Sequence, residues 1–192
     1  MRIVGGRHRG RPIAAPEGLA VRPTADRTRE SLFNILTQGR LAGPPPSSVV
    51  EGAKVLDAFA GSGALGLEAL SRGAGHVTFL EEQAAALTAL ERNVATLGAG
   101  AATTVLRGDV LRPPRPGEAE GPAALILMDP PYNQGLAEPA LAALDAAGWI
   151  AQAALVTVEL MKSEPFDPPA GFETIDERIY GKARVVILRK ED

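Results

Sequence analysis

Asp129-Pro130-Pro131-Tyr132 are the residues best equipped for chemistry in this chain. A carboxylate, two ring-locked residues and an aromatic ring stand in a row. Proline lacks a backbone donor and fixes φ, so two in succession make a stiff turn. The preceding run, Ala124-Leu-Ile-Leu-Met128, is short and aliphatic, the pattern of a buried strand. Open α/β sheets hold their ligands at the carboxyl ends of such strands. A carboxylate and a flat ring held there can grip a planar group that carries an amine.

A second motif lies upstream. Asp57-Ala-Phe-Ala-Gly61-Ser-Gly63-Ala-Leu-Gly66 contains G-x-G-x-x-G between a predicted strand, 55–60, and a predicted helix, 65–72. Gly61 and Gly63 let the backbone turn sharply and approach a ligand closely. Glu81 closes the next strand, where a carboxylate can accept both ribose hydroxyls of an adenosine; Glu82 is the neighbouring alternative. Asp109 follows a third strand in Arg107-Gly-Asp-Val110. Acids at the ends of four strands on one sheet edge predict a nucleoside-cofactor site. Asp57 bears on which cofactor. A pyrophosphate over the helix start would be repelled by it, whereas a sulfonium and an ammonium would be attracted. That favours S-adenosylmethionine over a nicotinamide dinucleotide.

The elements that must position these residues follow from periodicity. Residues 1–20 read as an arm with two short strands in a hairpin around Gly5-Gly6, and Arg22-Pro23-Thr24 leads into a helix that Thr24 caps and Gly39 ends. Residues 43–48, Gly-Pro-Pro-Pro-Ser-Ser, make a loop. Strands are expected over 55–60, 76–81, 103–106, 124–129 and 154–160, and helices over 65–72, 84–97 and 136–147. Two last strands, 172–180 and 183–189, join at Gly181-Lys182. The order predicts an α/β, Rossmann-like, mostly parallel sheet that ends in an antiparallel hairpin. Residues 112–122 are rich in Pro and Gly and read as a surface loop. The expected division is an Arg-rich extension, 1–45, and a catalytic domain, 46–192.

Composition narrows the partners. Net charge is −3, yet residues 1–40 carry eight Arg against Glu17, Asp26 and Glu30, a balance of +5, which leaves −8 on the rest. Arg grips phosphate bidentately and stacks on bases, so a nucleic-acid partner is expected, with Arg7, Arg9 and Arg11 as its contacts. Cys is absent and only His8 and His76 offer imidazole, so no metal site is expected. With no apolar run of transmembrane length and no signal sequence expected, the reading is a cytoplasmic protein without a membrane partner, and a monomer.

At this point the residues resemble a known family. The stretch from Val55 to Ala74 is similar to motif I of class I methyltransferases, closest to the RsmD family of bacterial small-subunit rRNA guanine-N2 methyltransferases. Arg2-Ile-Val-Gly-Gly-Arg-His-Arg-Gly-Arg11 resembles that family's amino-terminal signature, as does the stretch from Arg22 to Leu36. Asp129 to Tyr132 resembles its catalytic turn, and Tyr180 to Leu188 its closing hairpin. Gln83 departs from the Asp usual after the strand-two acid, and the 112–122 loop is local to this chain. The resemblance implies a seven-stranded methyltransferase sheet and S-adenosylmethionine as donor. Its acceptor would be a guanine of 16S rRNA in the small ribosomal subunit. It implies a cofactor site of Asp57, Phe59, Gly61, Ser62, Gly63, Glu81, Asp109 and Val110, with Arg22 and Thr24 closing over it. It implies catalysis by Asp129, the Pro130 carbonyl and Tyr132. Three rival readings stay open: a DNA adenine-N6 or cytosine-N4 methyltransferase, a non-catalytic RNA-binding assembly factor, and a nicotinamide dehydrogenase, which Asp57 disfavours.

Overall fold

The computed structural model describes residues 1–16, 23–38, 41 and 48–191, with backbone alone for 23–25. Seven strands form one sheet: β1 (Lys54–Ala58), β2 (His76–Glu81), β3 (Thr103–Arg107), β4 (Ala123–Met128), β5 (Ile150–Met161), β6 (Phe172–Tyr180) and β7 (Ala183–Lys190). The order is β3-β2-β1-β4-β5-β7-β6. The first five are parallel, and β7 and β6 run antiparallel.

Leu125, Ile126, Leu127 and Met128 are all fully buried. Continuous apolar runs of this kind belong to strands covered on both faces. Alternate residues feed two cores, as the two-residue period of a strand requires. Val55, Leu125 and Leu127 face one cluster, which also takes Leu32, Phe33 and Leu36 of α1 (Pro23–Gln38), Leu67 and Leu70 of α2 (Ala64–Ser71) and Leu90 of α3 (Ala84–Leu97). Leu56, Ile126 and Val156 face the other, with Leu141 and Leu144 of α4 (Ala137–Ala146) and Trp149. The chain leaves β1 toward β2 on one side and later returns to pair β4 on the other. The β1–β4 boundary is therefore the switch point where ligands bind in such sheets.

Three expectations shift in detail. β5 begins at Ile150, before the expected 154, because a bulge between its pairs with Ala123 and Leu125 lets the strand continue; Ala153 sits there at φ 55. Helix α1 begins at Pro23, a favoured first helical residue, so Thr24 stands inside the first turn. The arm forms one antiparallel bridge, Arg2 with Pro12, around a 3-10 turn at Gly6–His8, rather than two strands. Arg22 and Gly39 lie outside the described residues, as does the Thr24 side chain.

The arm is seated on the body by buried polar groups. Glu68 of α2, fully buried, accepts the Val4 amide at 2.8 Å and pairs with Arg72 at 2.7 Å. Ser71 accepts the His8 amide and donates to the Gly5 carbonyl. Ile3 and Ile13 of the arm share the core of α1, α2 and α3. No helix among the described residues is long and apolar enough to cross a membrane.

Candidate active site

The glycine loop is held from beneath by acids. Asp57, only 1% exposed, accepts the Gly66 amide at 2.8 Å. Burial, with a smaller contribution from nearby Glu81, pushes its carboxyl up to about 8 despite that hydrogen bond. Asp57 was expected as a charge facing the ligand. The structure turns it under the start of α2, where it satisfies a helix amide and carries a proton near neutral pH. Glu81 accepts the Gly61 amide on Oε2, at 2.8 Å, and the Glu82 and Gln83 amides on Oε1, at 2.9 and 2.8 Å. Of about four lone-pair directions on a carboxylate, three are thus engaged. Asn93 of α3, 3% exposed, donates to the Ser62 carbonyl and exchanges two hydrogen bonds with the backbone of Ala14.

The three glycines serve different needs. Gly61 has φ 56, and a Cβ built there would meet nothing closer than 4.0 Å, so it borders open space. Gly63 has φ 78, and a Cβ there would overlap Leu90. A Cβ on Gly66 would overlap Phe79 and Val77, so its absence lets α2 lie close on β2. Phe59, between Asp57 and Gly61, is in the left-handed region at φ 63, a strained conformation for a bulky residue. Asp109 is built into its own turn. The Leu111 amide and then the Arg112 side chain hold its carboxyl below the usual range. Val110 is buried in the second core cluster, which also holds Leu80.

The second turn follows β4. Ala58 pairs with Met128, so Phe59 and Asp129 leave adjacent strands side by side. Asp129 is exposed, Pro130 is buried and Tyr132 is half-buried. The Tyr132 hydroxyl donates to Glu159 of β5 at 2.6 Å. Asn133, at φ 59, donates its amide to Glu164 at 2.9 Å. Glu164 is 6% exposed, and Arg184 of β7 donates to its backbone carbonyl. The turn is therefore braced by two acids from the neighbouring strand and its exit loop. Neither was singled out in the sequence, because their partners are 27 and 31 residues away.

The arm's cations stand apart from this edge. Arg7 and Arg9 are exposed on the 3-10 turn bonded to Ser71, at the far end of α2 from the glycine loop. Arg11 donates to the Thr96 carbonyl near the end of α3. Among the described residues no group of three or more His, Cys, Asp or Glu could hold a metal ion.

Residues 1–189 match the family model described as Conserved hypothetical protein 95. Ribosomal RNA small subunit methyltransferase D of Escherichia coli K12 is 37% identical over 192 residues, covering 100% of this chain and 90% of that protein. The protein of the same name from Haemophilus influenzae is 35% identical over 187 residues, covering 94% and 89%. The chain belongs to the RsmD family. The solved structure of yhhF from Escherichia coli superimposes with TM-score 0.79 at 35% identity, covering 100% and 98% of the two chains. A hypothetical protein from Thermus thermophilus gives 0.72 at 30%, covering 100% and 99%. The fold is the Rossmann-like class I methyltransferase fold of the family, with its closing antiparallel hairpin.

The residues present fit the family's cofactor. Gly61 borders open space, Gly63 is close-packed, and Glu81 at the end of β2 holds the Gly61 amide, next to the strand end that carries Asp129.

Proposed function

We propose that this chain transfers a methyl group from S-adenosylmethionine to the exocyclic N2 of a guanine in 16S rRNA. The observation that carries the reading is the pairing of Ala58 with Met128, which sets an exposed Asp129 next to the glycine loop. The names of the two relatives support an rRNA acceptor.

S-Adenosylmethionine supplies an electrophilic methyl on a sulfonium. Phe59, Gly61, Ser62, Gly63, Glu81, Asp109 and Val110 would hold it, with Arg22 and Thr24 assigned as its cover from family position. Asp57 acts one layer down, fixing the amide of Gly66. An exocyclic amine on guanine is a weak nucleophile, because its lone pair is delocalised into the ring. Asp129 would accept one N–H and the Pro130 carbonyl the other, which turns the lone pair toward the methyl and offsets the charge that develops on nitrogen. The N–C bond forms as the sulfonium C–S bond breaks, the neutral thioether leaves, and the proton that N2 sheds passes along its hydrogen bond to exposed Asp129 and on to water. Tyr132 stacks on the base, and its bond to Glu159 fixes the ring. The remaining gain is alignment of methyl and nitrogen, with no covalent enzyme intermediate. The target base enters unstacked, which costs least in a loop or single strand. Residues 1–45 serve as the RNA-contacting extension and 46–192 as the catalytic domain. Arg7 and Arg9 then hold phosphates at a distance from the target, and Arg11 anchors the arm to α3.

The test is transfer of tritiated methyl to rRNA, small subunits and DNA, using rRNA from a strain that lacks the enzyme. Label on the N2 of one guanine of 16S rRNA is expected. Preferential labelling of DNA would replace the acceptor, and failure to bind S-adenosylhomocysteine by calorimetry would remove the methyltransferase reading altogether.

A further inference from the structure

Among the described residues, the arm's Arg7, Arg9 and Arg11 stand apart from the catalytic edge. Arg7 and Arg9 sit at the distal end of α2, a helix of eight residues, about 12 Å from the glycine loop. With the cofactor over β1, β2 and β3, the acceptor strand has to approach across β4, β5 and β7. Two exposed lysines stand there. Lys162 follows β5 and Lys182 precedes β7 in the tight Gly181-Lys182 turn. Met161 pairs with Ala183, and the Lys162 amide donates to the Lys182 carbonyl at 2.8 Å, so the two backbones meet at the end of the ladder.

The same end of the ladder supports the catalytic turn. Glu159 and Glu164 flank Lys162 in sequence, and they accept from Tyr132 and Asn133. Glu177 pairs with Arg184 at 3.8 Å. Glu159, Glu164 and Glu177 are thus committed to other partners. Two ammonium groups on long stems, anchored where the exit of β5 meets the β6–β7 turn, suit adjacent phosphates of a nucleic-acid strand.

We propose that Lys162 and Lys182 form a phosphate clamp that holds the RNA strand on the β5–β7 side of the Asp129–Tyr132 turn. This rests on the rRNA methyltransferase reading. The clamp grips the backbone next to the unstacked base, while the arm grips RNA farther away.

The experiment measures binding of a 16S rRNA transcript to the full chain over a range of salt. In Lys162→Gln/Lys182→Gln the slope of log K against log salt should shrink by about 1.5, with affinity down about tenfold. The KM for rRNA should rise while kcat and S-adenosylhomocysteine affinity stay within about twofold. An unchanged slope and affinity in a double variant that still binds S-adenosylhomocysteine would overturn the clamp. An equal loss in Arg92→Gln, an exposed charge on α3, would also overturn it, because the effect would then be diffuse charge. If the wild-type chain itself neither binds nor labels rRNA, the failure belongs to the functional reading underneath.

Discussion

The glycine loop and the Asp129–Tyr132 turn both end parallel strands on the same edge, and both depend on acids. The acids act in opposite senses. In the glycine loop the strand-end acids are buried and spent on backbone amides, Asp57 on Gly66 and Glu81 on Gly61, Glu82 and Gln83. In the second turn the strand-end acid, Asp129, is exposed, and the bracing comes from Glu159 and Glu164 on another element. One turn builds a surface out of backbone and needs its carboxylates as scaffolding. The other presents its carboxylate and borrows scaffolding from next door.

The largest effect should come from breaking the presented acid. Asp129→Ala is expected to lower kcat about 10²–10³-fold, with S-adenosylhomocysteine affinity within about threefold, read by methyl transfer and calorimetry. Wild-type-like turnover would put Asp129 among the scaffolding acids. Next is Gly63→Ala, where a positive φ and overlap with Leu90 combine. A loss of about 2–3 kcal/mol in denaturant unfolding is expected. Gly61→Ala borders open space, so its cost should be smaller in stability and appear in cofactor affinity. Equal stability losses would mean that the two glycines do the same work.

Tyr132→Phe removes one hydrogen bond to a carboxylate, worth about 1.5–3 kcal/mol, while the stacking face remains. The expected signature is a lower melting temperature with KM for rRNA little changed, whereas Tyr132→Ala should raise KM as well. The smallest effect is a pH dependence. Asp57 binds a proton more tightly folded than unfolded, so its contribution to stability is present at low pH and is lost as pH rises toward and through about 8. Between pH 7 and 9 the loss from this group is about 1.4 kcal/mol. Asp57→Asn, which keeps an acceptor for Gly66, should flatten that part of the stability curve. An unflattened curve would assign the charge to another group.

The strand and helix order was legible because nearly every element carries a clear period. The spans of β2, α3 and β6 coincide with those read from the sequence. The positions of both turns followed from glycine, proline and strand-end acids. The bracing was not legible. Glu68, Asn93, Glu159 and Glu164 satisfy backbone or hydroxyl groups 27 to 79 residues away, and nothing in a local window marks an acid or amide for that use. The burial of Asp57 was hidden for the same reason: a strand-end carboxylate looks alike whether the helix that follows covers it or not. The start of β5 was obscured by its bulge, which interrupts the alternation that would announce it.

The sheet order also sets a schedule for synthesis. β7 lies between β5 and β6, so β6 finds its place only after β7 has emerged. The side chains that hydrogen-bond the glycine loop, those of Asp57, Glu81 and Asn93, are all made once α3 is complete. The Asp129–Tyr132 turn waits for Glu159 and Glu164, and for Arg184, whose side chain holds the backbone of Glu164. During translation the chain therefore completes the glycine-loop half of this edge early and the Asp129–Tyr132 half last, and a chain that stops short of β7 would lack the Arg184 support of that second half.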